Sequence, residues 1–398
     1  LSDLKHLTRA QEYALAITTA VVIANAYYLH PIIGEVARDF GVSQASIGIV
    51  PALNQIGLAL GILLLLPLGD RYSNRSLSIV FVTLQTLAML AMTLSYSFWP
   101  FTIASTLLGF FTITPYILPA FASKRVAPER LGEVTALLTA GTVFGILVAR
   151  VGAGVVAEYF GWHAVYWIAT SAMAIMALML PRIMRSEGTV EKQATGSYPA
   201  LVLSVFSIAK QHRDVLLSAM IQALNFGAFI ATWLALALYL TSPEMGYGVD
   251  TVGYLAGVSA ISVLTTPRLG RWADKVGPKR ARLMFALIQA VGVALFYPLS
   301  GSAWLLLVPL TLVAAVGPSI DVTGRMTFLA LSPEIRTRLT AAYVVIMFIG
   351  GGIGSFLGTA VYDAAGWQGT CMLLGAMMAA VIVLCVIARS VSQPRASQ

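Results

Sequence analysis

Charge is scarce in this 398-residue chain: Asp, Glu, Lys and Arg make up 11% of it and hydrophobic residues 58%. Soluble domains carry about 25% charged residues, so a water-bathed globule is excluded. Apolar runs of about 20 residues read instead as membrane-spanning helices. Cysteine is nearly absent, with only Cys371 and Cys385, both in the last apolar run. On one helix they stand roughly 21 Å apart, which excludes a disulfide between them. With only four histidines, no metal-ligand cluster forms, and neither a metal nor a cofactor is expected. A Walker loop, a nucleophile elbow and a paired catalytic constellation are also missing, so ATP-driven transport and enzyme activity are not expected. Two pattern matches fail on context. Gly152-Ala153-Gly154-Val155-Val156-Ala157 fits a dinucleotide fingerprint but lies in an apolar run with no strand before it. Asn74-Arg75-Ser76 fits a glycosylation acceptor but falls on the cytosolic side in the topology below. No cleavable signal is visible, because the first apolar segment runs on as a full span; the natural start is expected to precede Leu1.

What is present is a series of long apolar segments. Twelve helices are expected, at about 11–34, 45–68, 76–97, 99–123, 133–158, 162–181, 211–241, 251–269, 281–300, 303–331, 338–362 and 368–389. The longest polar stretch divides them into an N-terminal six-helix bundle (1–185), a cytoplasmic linker (186–210) and a C-terminal six-helix bundle (211–398). With both termini in the cytosol, alternation places 22 of the 25 Lys and Arg on the cytosolic side, Arg38 outside, and Arg150 and Arg325 within spans. This is the positive-inside bias. The net charge of +8 therefore reports topology rather than a nucleic-acid partner. The halves also repeat: Pro128-Glu129, Gly161-Trp162 and Glu158 each recur 205 residues later as Pro333-Glu334, Gly366-Trp367 and Asp363. Two parallel six-helix repeats are implied.

The basic turns carry more information. Arg268 to Arg280 contains Gly270, Asp274, Lys275, Gly277, Lys279 and Arg280, and a weaker copy holds Gly69, Asp70, Arg71 and Arg75. This pair resembles the loops between helices 2 and 3 and helices 8 and 9 of major facilitator superfamily transporters. The second copy fits the family's Gly-x-x-x-Asp-Arg/Lys-x-Gly-x-Lys/Arg-Arg pattern. The first departs from it at Leu66, Ser73 and Asn74. The resemblance implies an all-α integral membrane protein whose loop carboxylates latch one conformation; setting topology is the alternative role. Gly141, Gly145, Ala149 and Gly152 form a small-residue stripe on helix 5, matched by Gly350, Gly354 and Gly358 on helix 11. Together with Arg150 and Gly161-Trp162, the fifth helix is similar to that of the drug-efflux-like branch with arabinose-efflux-type permeases. The Gly-Pro pair common there is absent, since Ile146 follows Gly145. The family's fourth-helix Arg is missing as well, with Ser105 standing four residues before Gly109.

Ionisable groups within spans are few, and such groups are costly unless they face a cavity or a partner. Asp321 is expected near the middle of helix 10, with Arg325 on the same face at i+4. Asp321 as a protonation switch, a static Asp321–Arg325 pair and anion binding through Arg325 all remain open. Arg150 has no sequence-near acid; it pairs with Asp321, binds an anionic group or snorkels outward. His30 is a candidate proton relay or a plain interfacial histidine. The family's arrangement, with helices 1, 4, 7 and 10 lining the path, adds Asn25, Tyr27, Tyr28, Tyr116, Asn225, Trp233 and Tyr239, with Asn54 and Gln55 from helix 2. Pro115, Pro119 and Pro318 are expected to bend helices 4 and 10. The expected function is rocker-switch transport of a small organic solute across a bacterial inner membrane by a monomer. Proton-coupled export is implied by the resemblance, and proton-coupled or facilitative uptake is the alternative. The expected partners are the solute, protons and the lipid bilayer.

Overall fold

The computed structural model describes residues 7–184, 198, 202, 211–328 and 333–390, with the side chains of residues 70, 128 and 333–337 left aside. The expected linker, 186–210, falls outside these residues except at 198 and 202. The first six spans run as α1 (Arg9–Ala24) with α2 (Leu29–Asp39), α3 (Gln44–Ile47) with α4 (Ile49–Leu65), α5 (Asn74–Thr93), α6 (Phe98–Phe111) with α7 (Thr114–Ser123), α8 (Leu131–Phe160) and α9 (Trp162–Ile183). The last six run as α10 (Arg213–Leu240), α11 (Val249–Ala256) with α12 (Ile261–Val276), α13 (Pro278–Leu295), α14 (Leu307–Met326), α15 (333–365) and α16 (367–390). Ten stretches among the described residues are long and apolar enough to cross a membrane. The last of them is two helices divided at Gly366 (φ 60°). With α13, whose first turns carry Lys279, Arg280 and Arg282, these make the twelve helices expected.

Proline explains where spans break. Pro31 has no N–H to offer the Tyr27 carbonyl, which accepts instead from His30 N at 3.2 Å, and the first span interrupts at 25–28. It then continues to Asp39, past the expected end at 34. Pro51 follows the break at Gly48, and Pro115 the break at Thr112–Ile113. Two expected boundaries are corrected at the second basic loop and beyond it. Helix 8 does not stop at 269, because Ala273 is fully buried in its last turn and holds the helix to Val276. The connection is then Gly277 alone (φ 94°), a conformation that favours glycine, before Pro278 opens α13. Helix 9 ends at Leu295 rather than 300; Phe296 keeps helical angles (φ −61°, ψ −43°), but Pro298 has no N–H with which to extend the ladder.

Within each half, small residues let backbones touch. A Cβ on Gly141 or Gly145 would fall on the carbonyl of Ala16 or Ala20, joining span 5 to span 1. The repeat is exact in kind: a Cβ on Gly350 or Gly354 would fall on the Ala223 or Gly227 carbonyl, joining span 11 to span 7. Gly152, the last member of the expected stripe, meets nothing within 4 Å.

The halves meet at the end remote from the termini, and also along spans 2 and 11, where a Cβ on Gly352 would lie 3.0 Å from the Ala52 carbonyl. A Cβ on Gly154 would lie 2.6 Å from the Val249 carbonyl, and Gly34 faces Thr241 and Leu238. Ser355 Oγ donates to the Gly48 carbonyl at 3.1 Å. Glu158 Oε2 accepts from Val249 N at 2.9 Å, so a carboxylate of the first half caps the first turn of α11 in the second.

Candidate functional site

Asp321 and Arg325 lie on one face of α14, and Arg325 Nε donates to both carboxylate oxygens at 3.1 and 3.0 Å. Because α14 ends at Met326, the pair occupies the last two turns rather than the middle of the span. The Tyr343 hydroxyl, from α15, donates to Asp321 Oδ1 at 2.9 Å. Its ring lies 5.1 Å from the Arg325 guanidinium carbon. Gly324 makes this approach possible, since a Cβ there would sit 2.5 Å from the Tyr343 hydroxyl. Tyr343 is fully buried, while the Asp321 and Arg325 side chains keep 26% and 33% of their exposure. The acid thus has a cation and a hydroxyl as partners, and part of its side chain stays accessible. Tyr116, on α7 of the first half, has its ring centre 6.4 Å from that of Phe348 on α15 of the second.

Arg150 forms a second cluster. Its side chain is 1% exposed, so it does not snorkel, and it makes no ion pair with Asp321. Nη2 lies 3.2 Å from His30 Nδ1. The guanidinium carbon sits 5.3 Å from the ring centre of Tyr27, 4.5 Å from Phe229 and 4.9 Å from Trp233. Nε and Nη1 have no hydrogen-bond partner among the described residues, nor has His30 Nε2. Arg150, His30 and Tyr27 come from the first half, Phe229 and Trp233 from the second.

The other candidate side chains divide. Asn25 and Gln55 are buried with both side-chain polar atoms unbonded, and Tyr28 is half-buried. Three others direct their hydrogen bonds into one half. Asn54 Nδ2 donates to the Ser105 carbonyl at 2.7 Å and so ties span 2 to span 4. Asn225 Nδ2 donates to the Gly317 carbonyl at 3.2 Å, and its Oδ1 accepts from Gln289 Nε2 at 2.9 Å. Tyr239 donates to the Ser300 carbonyl at 3.1 Å and stacks on Trp367 with ring centres 4.8 Å apart. Asn225→Ala is expected to cost about 1–3 kcal/mol of stability, because it removes the partners of the buried Gln289 amide in span 9 and the Gly317 carbonyl in span 10; thermal unfolding of the purified protein measures it.

The chain and its fold match known proteins. The family model for the Major Facilitator Superfamily matches residues 15–323 and 217–398. The uncharacterized transporter YgaY of Escherichia coli O157:H7 is 30% identical over 372 residues, covering 93% of this chain and 93% of its own. The chain belongs to the Major Facilitator Superfamily. Multidrug resistance protein MdtG of Salmonella choleraesuis is 25% identical, covering 78% of this chain and 77% of its own. Among solved structures, the nucleoside transporter NupG superposes with a TM-score of 0.73 at 15% identity, covering 96% of this chain and 98% of its own. The protein is therefore a multi-pass membrane transporter with the superfamily fold.

The loops that carry the resemblance are placed differently from each other. In this superfamily member Gly69 and Asp70 end a short 3-10 helix (Leu66–Asp70), and the Asp70 side chain is outside the described set. Arg71 lies 5.8 Å from the Tyr198 ring. Arg75 donates from Nη2 to the Pro181 carbonyl at 3.2 Å and from Nε to the Met184 carbonyl. It therefore binds the negative end of the α9 dipole. Gly270, Asp274 and Lys275 ride on the end of α12, and Arg280 is exposed on α13 beside Lys279, which bonds Asp214 at 3.0 Å. Ion pairs between described side chains all lie within one half.

Proposed function

We propose that this transporter exports a small organic solute in exchange for protons, with its two halves (1–185 and 211–398) rocking about a site between them. The termini lie in the cytosol of a bacterium and the protein works as a monomer in the inner membrane; the Lys and Arg distribution supports that orientation. The relative MdtG is a multidrug resistance protein by name, and this favours export over uptake.

One observation carries the coupling: Asp321 is held by Arg325 and Tyr343, yet a quarter of its side chain stays exposed. The exposed part of the side chain gives protons access to the carboxylate once Arg325 and Tyr343 release it. Protonation removes the attraction for Arg325 and leaves that cation to find another partner, and a change of partner is what biases one arrangement of the halves over another. Asp70 and Asp274 serve as latches at the terminal end, as the loop resemblance implies.

The experiment is a reconstitution with an imposed pH gradient and a dye inside the vesicle, in wild type and Asp321→Asn. Solute addition is expected to move protons in wild type and not in the variant. Solute movement without a proton signal in wild type sinks the coupling, and an unchanged signal in Asp321→Asn sinks the role of Asp321.

A further inference from the structure

The Asp321 cluster leaves Arg150 unexplained. A guanidinium in the middle of an apolar bundle is costly unless something of opposite charge answers it. Around Arg150 the described residues supply three aromatic faces and one imidazole, and no carboxylate. Aromatic faces attract a cation but accept no in-plane hydrogen bond. The geometry also fixes a donor excess. His30 Nδ1 accepts from Arg150 Nη2, so the imidazole's own N–H is on Nε2. The cluster therefore presents Arg150 Nε, Arg150 Nη1 and His30 Nε2, all buried, all donors, all without acceptors. Buried donors normally have partners.

We infer that Arg150 and His30 form the recognition point for an anionic group on the transported solute, and that the solute is a monocarboxylate with an apolar or aromatic body. This rests on the reading of the chain as a solute transporter and adds the substrate class to it. One planar guanidinium matches one carboxylate in charge and geometry. Tyr27, Phe229 and Trp233 supply the apolar wall that a hydrophobic body needs. The position suits transport, because the donors belong to the first half and two of the rings to the second, so a bound carboxylate touches both. It also sits beside the seam: a Cβ on Gly253 of α11 would lie 3.3 Å from the Arg150 carbonyl. An anion drawn to Arg150 therefore arrives where the halves close on each other.

The test uses purified full-length protein in detergent, where no gradient and no turnover are needed. Benzoate, phenylacetate and indole-3-acetate are titrated at neutral pH against thermal unfolding, each beside its uncharged amide, in wild type, Arg150→Gln and Arg150→Lys. At least one carboxylate is expected to raise the unfolding temperature of wild type saturably, with its amide inert. Affinity is expected to fall at least tenfold in Arg150→Gln and to be partly kept in Arg150→Lys, which retains the charge and loses the planar donors. Without ligand, Arg150→Gln is expected to unfold no lower than wild type, because it removes an unanswered charge. The inference is overturned by absence of any carboxylate shift in wild type, by equal shifts with the amides, by a shift retained in Arg150→Gln, or by stabilisation with phosphate or chloride alone. Failure of Arg150→Gln to fold also overturns it, since the cation is then structural. Carboxylate binding without proton flux in vesicles leaves this inference standing and removes the antiport; proton flux driven by uncharged solutes alone does the reverse.

Discussion

Neutralising both members of the Asp321–Arg325 pair is expected to leave a folded transporter that has lost proton coupling. Asp321→Asn alone keeps the shape of the side chain but leaves Arg325 against Tyr343 with no anion. Breaking a fully buried pair costs about 3–5 kcal/mol. The Asp321 and Arg325 side chains are 26% and 33% exposed, so solvent screens them, and about 1–2 kcal/mol is expected here. The double variant Asp321→Asn/Arg325→Gln removes the stranded cation and should recover most of that loss. Thermal unfolding of the four species in the cycle measures the recovery.

Transport separates the two roles of the pair. If it only neutralises itself, the neutral double variant moves protons with solute as wild type does. If protonation of Asp321 drives the exchange of partners, the double variant loses that drive, and solute-triggered proton flux falls at least about tenfold, the factor that 1.4 kcal/mol of bias represents. Tyr343→Phe is the graded control. It keeps the ring over Arg325 and deletes the hydroxyl's bonds to Asp321, at 2.9 Å to Oδ1 and 3.3 Å to the main-chain carbonyl. Flux restored to wild-type size in the double variant would reduce the pair to packing.

Sequence reasoning reached the spans because hydropathy is additive along a chain, and the repeat because paired residues recur at one offset. It also reached Asp321 with Arg325, since i, i+4 spacing is geometry that a helix enforces locally. Tyr343 was missed for a physical reason. It comes from span 11, and only close passage at Gly324 brings its hydroxyl to Asp321; no local pattern encodes that distance. The signal available was a tyrosine in an apolar run, the same signal that selected Tyr116. Asn54, Asn225 and Tyr239 show the converse problem, because a polar side chain in an apolar helix reads identically whether it faces a cavity or braces a neighbour. The Gly270–Arg280 motif reads as a turn from composition, yet only Gly277 leaves the helical conformation. The break at 25–28 is written in Pro31, one turn after the residues it displaces.

Gly145→Leu and Gly354→Leu are expected to abolish recovery of folded, monodisperse protein, whereas Gly152→Leu is tolerated. In a bilayer, lipid tails are as apolar as the side chains they meet, so close packing rather than hydrophobic burial holds helices together. At Gly145 the obstacle to a side chain is the Ala20 carbonyl, and at Gly354 it is the Gly227 carbonyl. Neither is the far end of a flexible side chain, so the helices must part. Overpacking costs about 1–3 kcal/mol where neighbours can adjust, and more is expected where the neighbour is backbone. Gly152 meets nothing within 4 Å, and replacing it with Ala should gain up to about 1 kcal/mol through helix propensity. Size-exclusion profiles and unfolding temperatures of Ala and Leu variants at the three positions decide the matter; equal behaviour at 145 and 152 would mean that the span 1–span 5 seam is loose. The functional stake is the rigidity of each half. Seams of backbone on backbone at Gly145 and Gly354 make each half a body, while the contacts between halves run from Gly154, Gly34 and Glu158 at the end remote from the termini to Gly352 against Ala52 and Ile56. Two stiff bodies are what the proposed rocking needs, and substitutions that soften a body are expected to stop transport even where the protein still folds.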